Sequence, residues 1–164
     1  MPQGPDSFPA QGVNSLASVG QRTLARVIDL VVLSVPYLAV LGIVIAVLAA
    51  ADTSPEDIGE TRAWVLYVGP GIVVAMVYET LCVTRWGQTL GKLVVGIRVA
   101  RQVNGRCPLW WESAQRVALP GAVVIIPHPV ALAGAMALYV VAGFDPMRRN
   151  VPDRAAGTVV VRAR

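Results

Sequence analysis

The sequence predicts an all-α membrane protein: a helical transmembrane bundle of two long spans and a proline-broken third block, with a small cytoplasmic β-sheet. Three observations predict it. The apolar residues are pooled in blocks, since residues 24–51 carry only the charges of Arg26 and Asp29, residues 63–84 only Glu79, and residues 117–144 none. Only 15% of the 164 residues are charged, where a soluble domain has about 25%. The basic residues gather in alternate connecting segments, as the cytoplasmic loops of multi-pass proteins do.

Residues 1–20 hold three prolines, three glycines and Asp6 as their only charge, with no apolar period, which predicts a disordered leader. The first span is expected over residues 22–50. A cleaved signal has an apolar core of about 7–15 residues. The run 27–51 is longer and follows some twenty polar residues, so it reads as a span. The loop 52–61 carries Asp52, Glu56, Asp57 and Glu60 with no base, and the second span is expected over 63–84. Residues 85–116 form a basic cytoplasmic segment, with Arg85, Lys92, Arg98, Arg101, Arg106 and Arg116 against Glu112 alone. The tail 145–164 is equally basic. Both termini are therefore expected in the cytoplasm, and the acidic loop outside.

That orientation constrains the third block. A single crossing would carry the arginine-rich tail outside. Pro127-His128-Pro129 interrupts the block, and prolines break the helical ladder. The favoured reading is a short or re-entrant hairpin with arms 117–126 and 129–144; a single kinked span is the alternative. His128 reads as a turn residue.

Two β-type runs flank the third block. Residues 94–101 alternate before the Asn104-Gly105 turn, and Gly157 is followed by the β-branched run 158–161; the runs 94–101 and 157–161 are expected to pair. Trp110 and Trp111 suit headgroup anchoring and, equally, packing. Cys82 and Cys107 suggest neither a disulfide nor a metal site.

The intramembrane acids carry the chemistry. A carboxylate at the bilayer centre costs roughly 2.5–3.5 kcal/mol on insertion scales, so Asp29 requires partners. Arg22, Arg26 and Asp29 are spaced by four and three residues on one helical face, which predicts local compensation among them. Antiparallel spans bring Glu79 to the depth of Asp29, so both acids are expected to face inward near arginines. Two roles stay open, a structural ion-pair network or a site for a cation, a proton or a lipid headgroup. Residues 85–93 mimic a phosphate loop but have three residues between Gly87 and Gly91 and Leu93 where Ser or Thr belongs, so nucleotide binding is rejected. Gly87 and Gly91 read as turning points, and Lys92 as facing anionic headgroups. The net charge of +4 then reflects the membrane surface and not nucleic acid.

Three motifs in order resemble the RDD family of small bacterial membrane proteins. They are Arg22-Thr23-Leu24-Ala25-Arg26-Val27-Ile28-Asp29, the run Gly87-Gln88-Thr89-Leu90-Gly91-Lys92-Leu93-Val94-Val95-Gly96-Ile97-Arg98-Val99, and Asp153-Arg154-Ala155-Ala156-Gly157-Thr158-Val159-Val160-Val161. The resemblance makes residues 21–164 one RDD-like transmembrane domain. It implies that Arg22, Asp29 and Asp153 belong together at the cytoplasmic ends of the spans; depth adds Glu79, and helical spacing adds Arg26. Where the family usually has a leucine–histidine pair, this chain has Val151-Pro152. The implied role is transport or sodium–proton exchange. The alternative is a non-catalytic accessory or assembly subunit of a larger membrane complex. No enzyme activity, cofactor or metal is expected. The expected partners are anionic lipid headgroups and a homo-oligomer or larger complex.

Overall fold

The computed structural model describes residues 5–164. Helix α1 (Val19–Ala50) begins at a reciprocal cap: the Ser18 hydroxyl accepts the Gln21 N–H at 3.1 Å, and the Gln21 side chain accepts the Ser18 N–H at 3.0 Å. A single helical turn, α2 (Pro55–Ile58), leads into α3 (Glu60–Trp86). Gly87, at φ +68°, ends α3 in the left-handed conformation that closes helices. Thr89 then caps a short helix, α4 (Leu90–Val95), followed by strand β1 (Ile97–Arg101). Next come α5 (Trp110–Val124), α6 (Pro129–Val140), α7 (Val151–Ala155) and β2 (Thr158–Arg162).

Helix α3 stands at the centre. It packs on both α1 and α5, with α6 against α5 and α4 laid against α1. Arg26 faces Glu79 while the Tyr37 hydroxyl reaches the Tyr67 carbonyl at 3.1 Å, so α1 and α3 run antiparallel. Strands β1 and β2 pair antiparallel, with Ile97 opposite Arg162 and Arg101 opposite Thr158. The pairing predicted between the two β-type runs is present.

The third block is a hairpin. Helix α5 stops at Val124, the chain turns through 125–128, and His128 accepts the Val130 N–H on Nδ1 at 3.2 Å to cap α6. The arms are short, roughly 22 Å and 18 Å at 1.5 Å per residue, against a hydrocarbon core of about 30 Å. Because the hairpin returns, β2 lies beside the start of α1, where the Ala17 N–H donates to the Val160 carbonyl at 3.0 Å. The start of α1, the end of α3 and the tail thus share one end of the bundle. A single kinked span does not produce this arrangement.

Three sequence boundaries need correction. The leader does not run to residue 20: Leu16 bridges Val161, Ala17 is fully buried and Ser15 nearly so, because β2 offers an unpaired edge. Residues 1–4 of that predicted leader lie outside the described residues. The basic segment 85–116 holds, besides the expected strand, a short helix, α4, ahead of it. Its last seven residues open α5, because Glu112 accepts the Leu109 N–H at 2.8 Å and starts the helix there.

Burial is concentrated at the sheet end, around Ala17, Ala25, Val83, Ile97, Val99 and Val160. Elsewhere the helices show apolar surface outward. Leu30, Val31, Val35 and Leu38 are each at least 60% exposed. Helices this apolar and this uncovered demand a non-aqueous surrounding, and both α1 and α3 are long enough to cross a bilayer.

Gly91 fixes how closely α4 approaches α1. A Cβ there would sit 2.1 Å from the Ala25 carbonyl oxygen and 2.9 Å from the Asp29 carboxyl. Replacing Gly91 by alanine should lower stability by at least roughly 1–3 kcal/mol, the usual range for overpacking. Gly42, with nothing within 4 Å of an added Cβ, should tolerate alanine. Thermal unfolding of both variants in detergent checks this, and equal stability of Gly91→Ala and wild type would refute the close-approach role.

Candidate functional site

At the shared end of the bundle, seven ionisable side chains from five segments meet. Asp153, fully buried in the first turn of α7, is held by Asn150, whose side chain accepts the Asp153 N–H at 2.7 Å. Its carboxylate accepts from Arg22 at 2.7 Å and from Arg116. Arg22 also donates to the Val160 carbonyl at 3.3 Å, and Arg116 to the Thr158 hydroxyl at 2.6 Å. Glu79 takes a two-pronged contact from Arg26, at 2.6 and 3.0 Å, and an ammonium contact from Lys92 at 2.9 Å. Arg116 Nε lies 3.8 Å from the same carboxylate. Arg116 therefore links both acids, and through them α1, α3, α4, α5 and α7.

Asp29 is handled differently. Its Oδ1 accepts the Tyr78 hydroxyl at 2.9 Å and the Gly91 N–H at 2.8 Å, and its Oδ2 accepts the Thr89 hydroxyl at 2.6 Å. Tyr78 in turn accepts the Leu90 N–H at 2.9 Å. These donors, a phenol, a hydroxyl and a backbone amide, are all uncharged. Asp29 is 2% exposed.

The five residues expected together, Arg22, Arg26, Asp29, Glu79 and Asp153, do converge. Their pairing differs from the reading in one respect. Asp29 acts on Arg26 only through space, and the direct bonds of Arg22, Arg26 and Asp29 each reach across to another element. Asp29 faces inward as expected, but its bonded partners are neutral and not arginines.

Lys92 is also corrected. It is 4% exposed and tied to Glu79, so it does not face lipid headgroups. Burial pulls its ammonium down to about 8 while Glu79 opposes that pull, and Arg26 and Arg116 lower it further. The unfolded chain then binds more protons between about pH 8 and the usual lysine value, so this group's own contribution to stability rises with pH across that window.

Sequence reasoning missed Lys92, Arg116, Tyr78 and Thr89 as members of the site. Arg116 looked like one more loop arginine, and only the early start of α5 places it inside. The spacing Gly87-Gln88-Thr89-Leu90-Gly91-Lys92 contained the signal for the rest: a helix stop, a cap, a residue without Cβ, and a cation one residue later.

This end of the bundle is also the floor of a cavity of about 810 Å³ between α1, α3 and the α5–α6 hairpin, and all seven ionisable residues line it. Among the described residues, no group of three or more His, Cys, Asp or Glu side chains is arranged to hold a metal ion.

Three of the network's five elements, α1, α4 and α7, carry the three sequence motifs, and the chain matches the RDD family over residues 16–157. It belongs to the RDD family. Membership and the two long apolar helices together mark a membrane protein. No match to the chain was found among curated proteins or among solved structures.

Glu79→Gln would leave Arg26, Lys92 and Arg116 without their shared countercharge and should cost about 3–5 kcal/mol, as breaking buried pairs does. Tyr78→Phe removes one neutral donor and should cost about 0.5–1.5 kcal/mol. Unfolding in micelles compares them. Equal losses for the two variants would show that the network does not hold the helices together.

Proposed function

We propose that this protein is a carrier, not an enzyme: a transport or ion-exchange component of the bacterial cytoplasmic membrane in which the Arg22, Arg26, Asp29, Glu79 and Asp153 cluster, with Lys92 and Arg116, handles a charged cargo. One observation carries the reading. The cavity between the long helices ends on the buried charges instead of being closed off from them. A network that served only to fix helix register would need no such opening.

The charge distribution supports the orientation. Exposed Arg85, Arg106, Arg148 and Arg154 lie at or near the network end, whereas Asp52, Glu56, Asp57 and Glu60 lie at the other. Basic residues favour the cytoplasm, which puts both termini and the β1–β2 sheet there. Each exposed arginine near the surface attracts anionic headgroups with about 1 kcal/mol. Two long helices and a short hairpin form a thin wall for a pathway, so we assign function to an assembly of several copies.

Two measurements test the proposal. Cys107, exposed at the network end, should react with a membrane-impermeant maleimide in inverted vesicles and not in intact cells; the reverse result would invert the topology. In proteoliposomes, wild type should dissipate at least one imposed gradient among sodium, potassium, protons and an anionic amphiphile. The near-isosteric Asp29→Asn should fall to the level of empty vesicles. Transport is refuted if wild type moves none of these faster than empty vesicles. Flux that appears only with a co-purifying membrane protein would assign an accessory role.

A further inference from the structure

The cavity itself narrows the cargo. Helix α1 packs on α3, and α5 packs on α3, but α1 and the α5–α6 hairpin make no extended contact with each other. The cavity is the gap between them. Its walls are apolar, built from Leu30, Leu33, Val68, Ile72 and Val124. Leu30 and Met136, at its edges, are more than half exposed, so the gap opens sideways, toward the surface where the apolar helices face lipid. Arg26 reaches across it, its guanidinium 5.5 Å from the ring centre of Tyr139 on α6.

The floor has the opposite character. Four cations there meet three carboxylates, leaving one positive charge in excess. Of the three acids, Asp29 is already satisfied by neutral donors, so the arginines and Lys92 share Glu79 and Asp153. Arg116 is 2% exposed, and its Nε–H, 3.8 Å from the Glu79 carboxylate, makes no hydrogen bond; nor does the Nε–H of Arg22. Buried guanidinium donors without acceptors are rare and call for an anion or a water. A cation entering this floor would add to the excess charge; an anion would neutralise it.

We infer that the cavity binds an anionic amphiphile, a molecule with one negatively charged head and an apolar tail, which enters sideways from the bilayer. The head is recognised by the Arg22–Arg26–Arg116 end of the gap and the tail by the walls between α1 and α5. The cavity volume lies within the range of about 300–1,000 Å³ usual for ligand sites. The inference rests on the transport reading and gives its cargo a chemical class. The same head chemistry arises in a carboxylate or in a phosphate monoester, and the probes separate them.

The test is equilibrium binding to the full-length protein in phosphatidylcholine nanodiscs, with protein-free nanodiscs subtracted. Palmitate or dodecyl phosphate should bind saturably, the better of the two naming the head. Lysophosphatidylcholine and dodecyltrimethylammonium should bind about tenfold more weakly or worse, a gap of about 1.4 kcal/mol. Ala75→Phe, which narrows the gap without touching a charge, should weaken palmitate and dodecyl phosphate at least tenfold, to the same order. A diazirine at the palmitate tail end should crosslink to α1 and α5.

Equal binding of the cationic amphiphile, or binding indifferent to Ala75→Phe, would overturn the inference. So would inorganic phosphate binding as tightly as dodecyl phosphate, which would leave a simple anion site. Disulfide dimers of Ser34→Cys that persist in saturating palmitate would assign the gap to a second copy of the chain and overturn it as well. Binding without flux refutes transport alone. Flux of a small cation without amphiphile binding refutes this inference alone.

Discussion

Arg116 ties Glu79 to Asp153, and the arrangement of the helices depends on that link. Carrying an ion out of water costs several kcal/mol even after relaxation, and only close countercharges and hydrogen bonds offset it. Arg116 is 2% exposed and Asp153 is fully buried. Neither position is tolerable unless α3, α5 and α7 lie within a few ångströms of their present places. Arg22 and Arg26 extend the same requirement to α1, and Lys92 extends it to α4. Five segments far apart in the chain are therefore positioned by one demand for charge neutrality.

The apolar surfaces do not impose positions of this kind. In lipid, one apolar face is as good a neighbour as another, so burial does not select a register between helices. Small residues and polar contacts do. Gly121 allows α5 to meet α3 so closely that an added Cβ would lie 2.9 Å from Ile72. The Thr84 hydroxyl reaches Ser113 at 3.2 Å, and the Trp64 indole reaches the Val124 carbonyl at 3.2 Å. These contacts hold α5 against α3 at both ends of the hairpin arm. Helix α1 makes no extended contact with the hairpin, and the gap lined by charged and apolar residues lies between them.

Asp29 shows how one short run serves two purposes. Thr89 caps α4 with its side-chain oxygen and donates its own proton to Asp29. Gly91, in the same turn, presents its N–H to the other oxygen because it lacks a Cβ. Lys92, the next residue, points to Glu79. A helix of six residues thereby satisfies two buried acids from α1 and α3 with different chemistry, neutral donors for one and an ammonium for the other.

Residue types and spacing settle the parts of this protein that depend on neighbours along the chain. The long apolar runs, the acids inside them, the proline break at 127–129 and the β-branched strands are all legible, because hydropathy and backbone preference act locally. The depth of Glu79 relative to Asp29 is legible too, since helical rise converts residue counts into distance. Other features require the assembled chain: that Asp29 is met by Thr89, Tyr78 and a backbone N–H, that Lys92 and Arg116 turn inward, and that residues 14–17 join the sheet edge. An arginine in a basic segment looks the same whether it faces water or a buried carboxylate. The difference lies in which segments the folded chain brings within hydrogen-bond reach, and long-range electrostatics, invisible to local pattern, decides it.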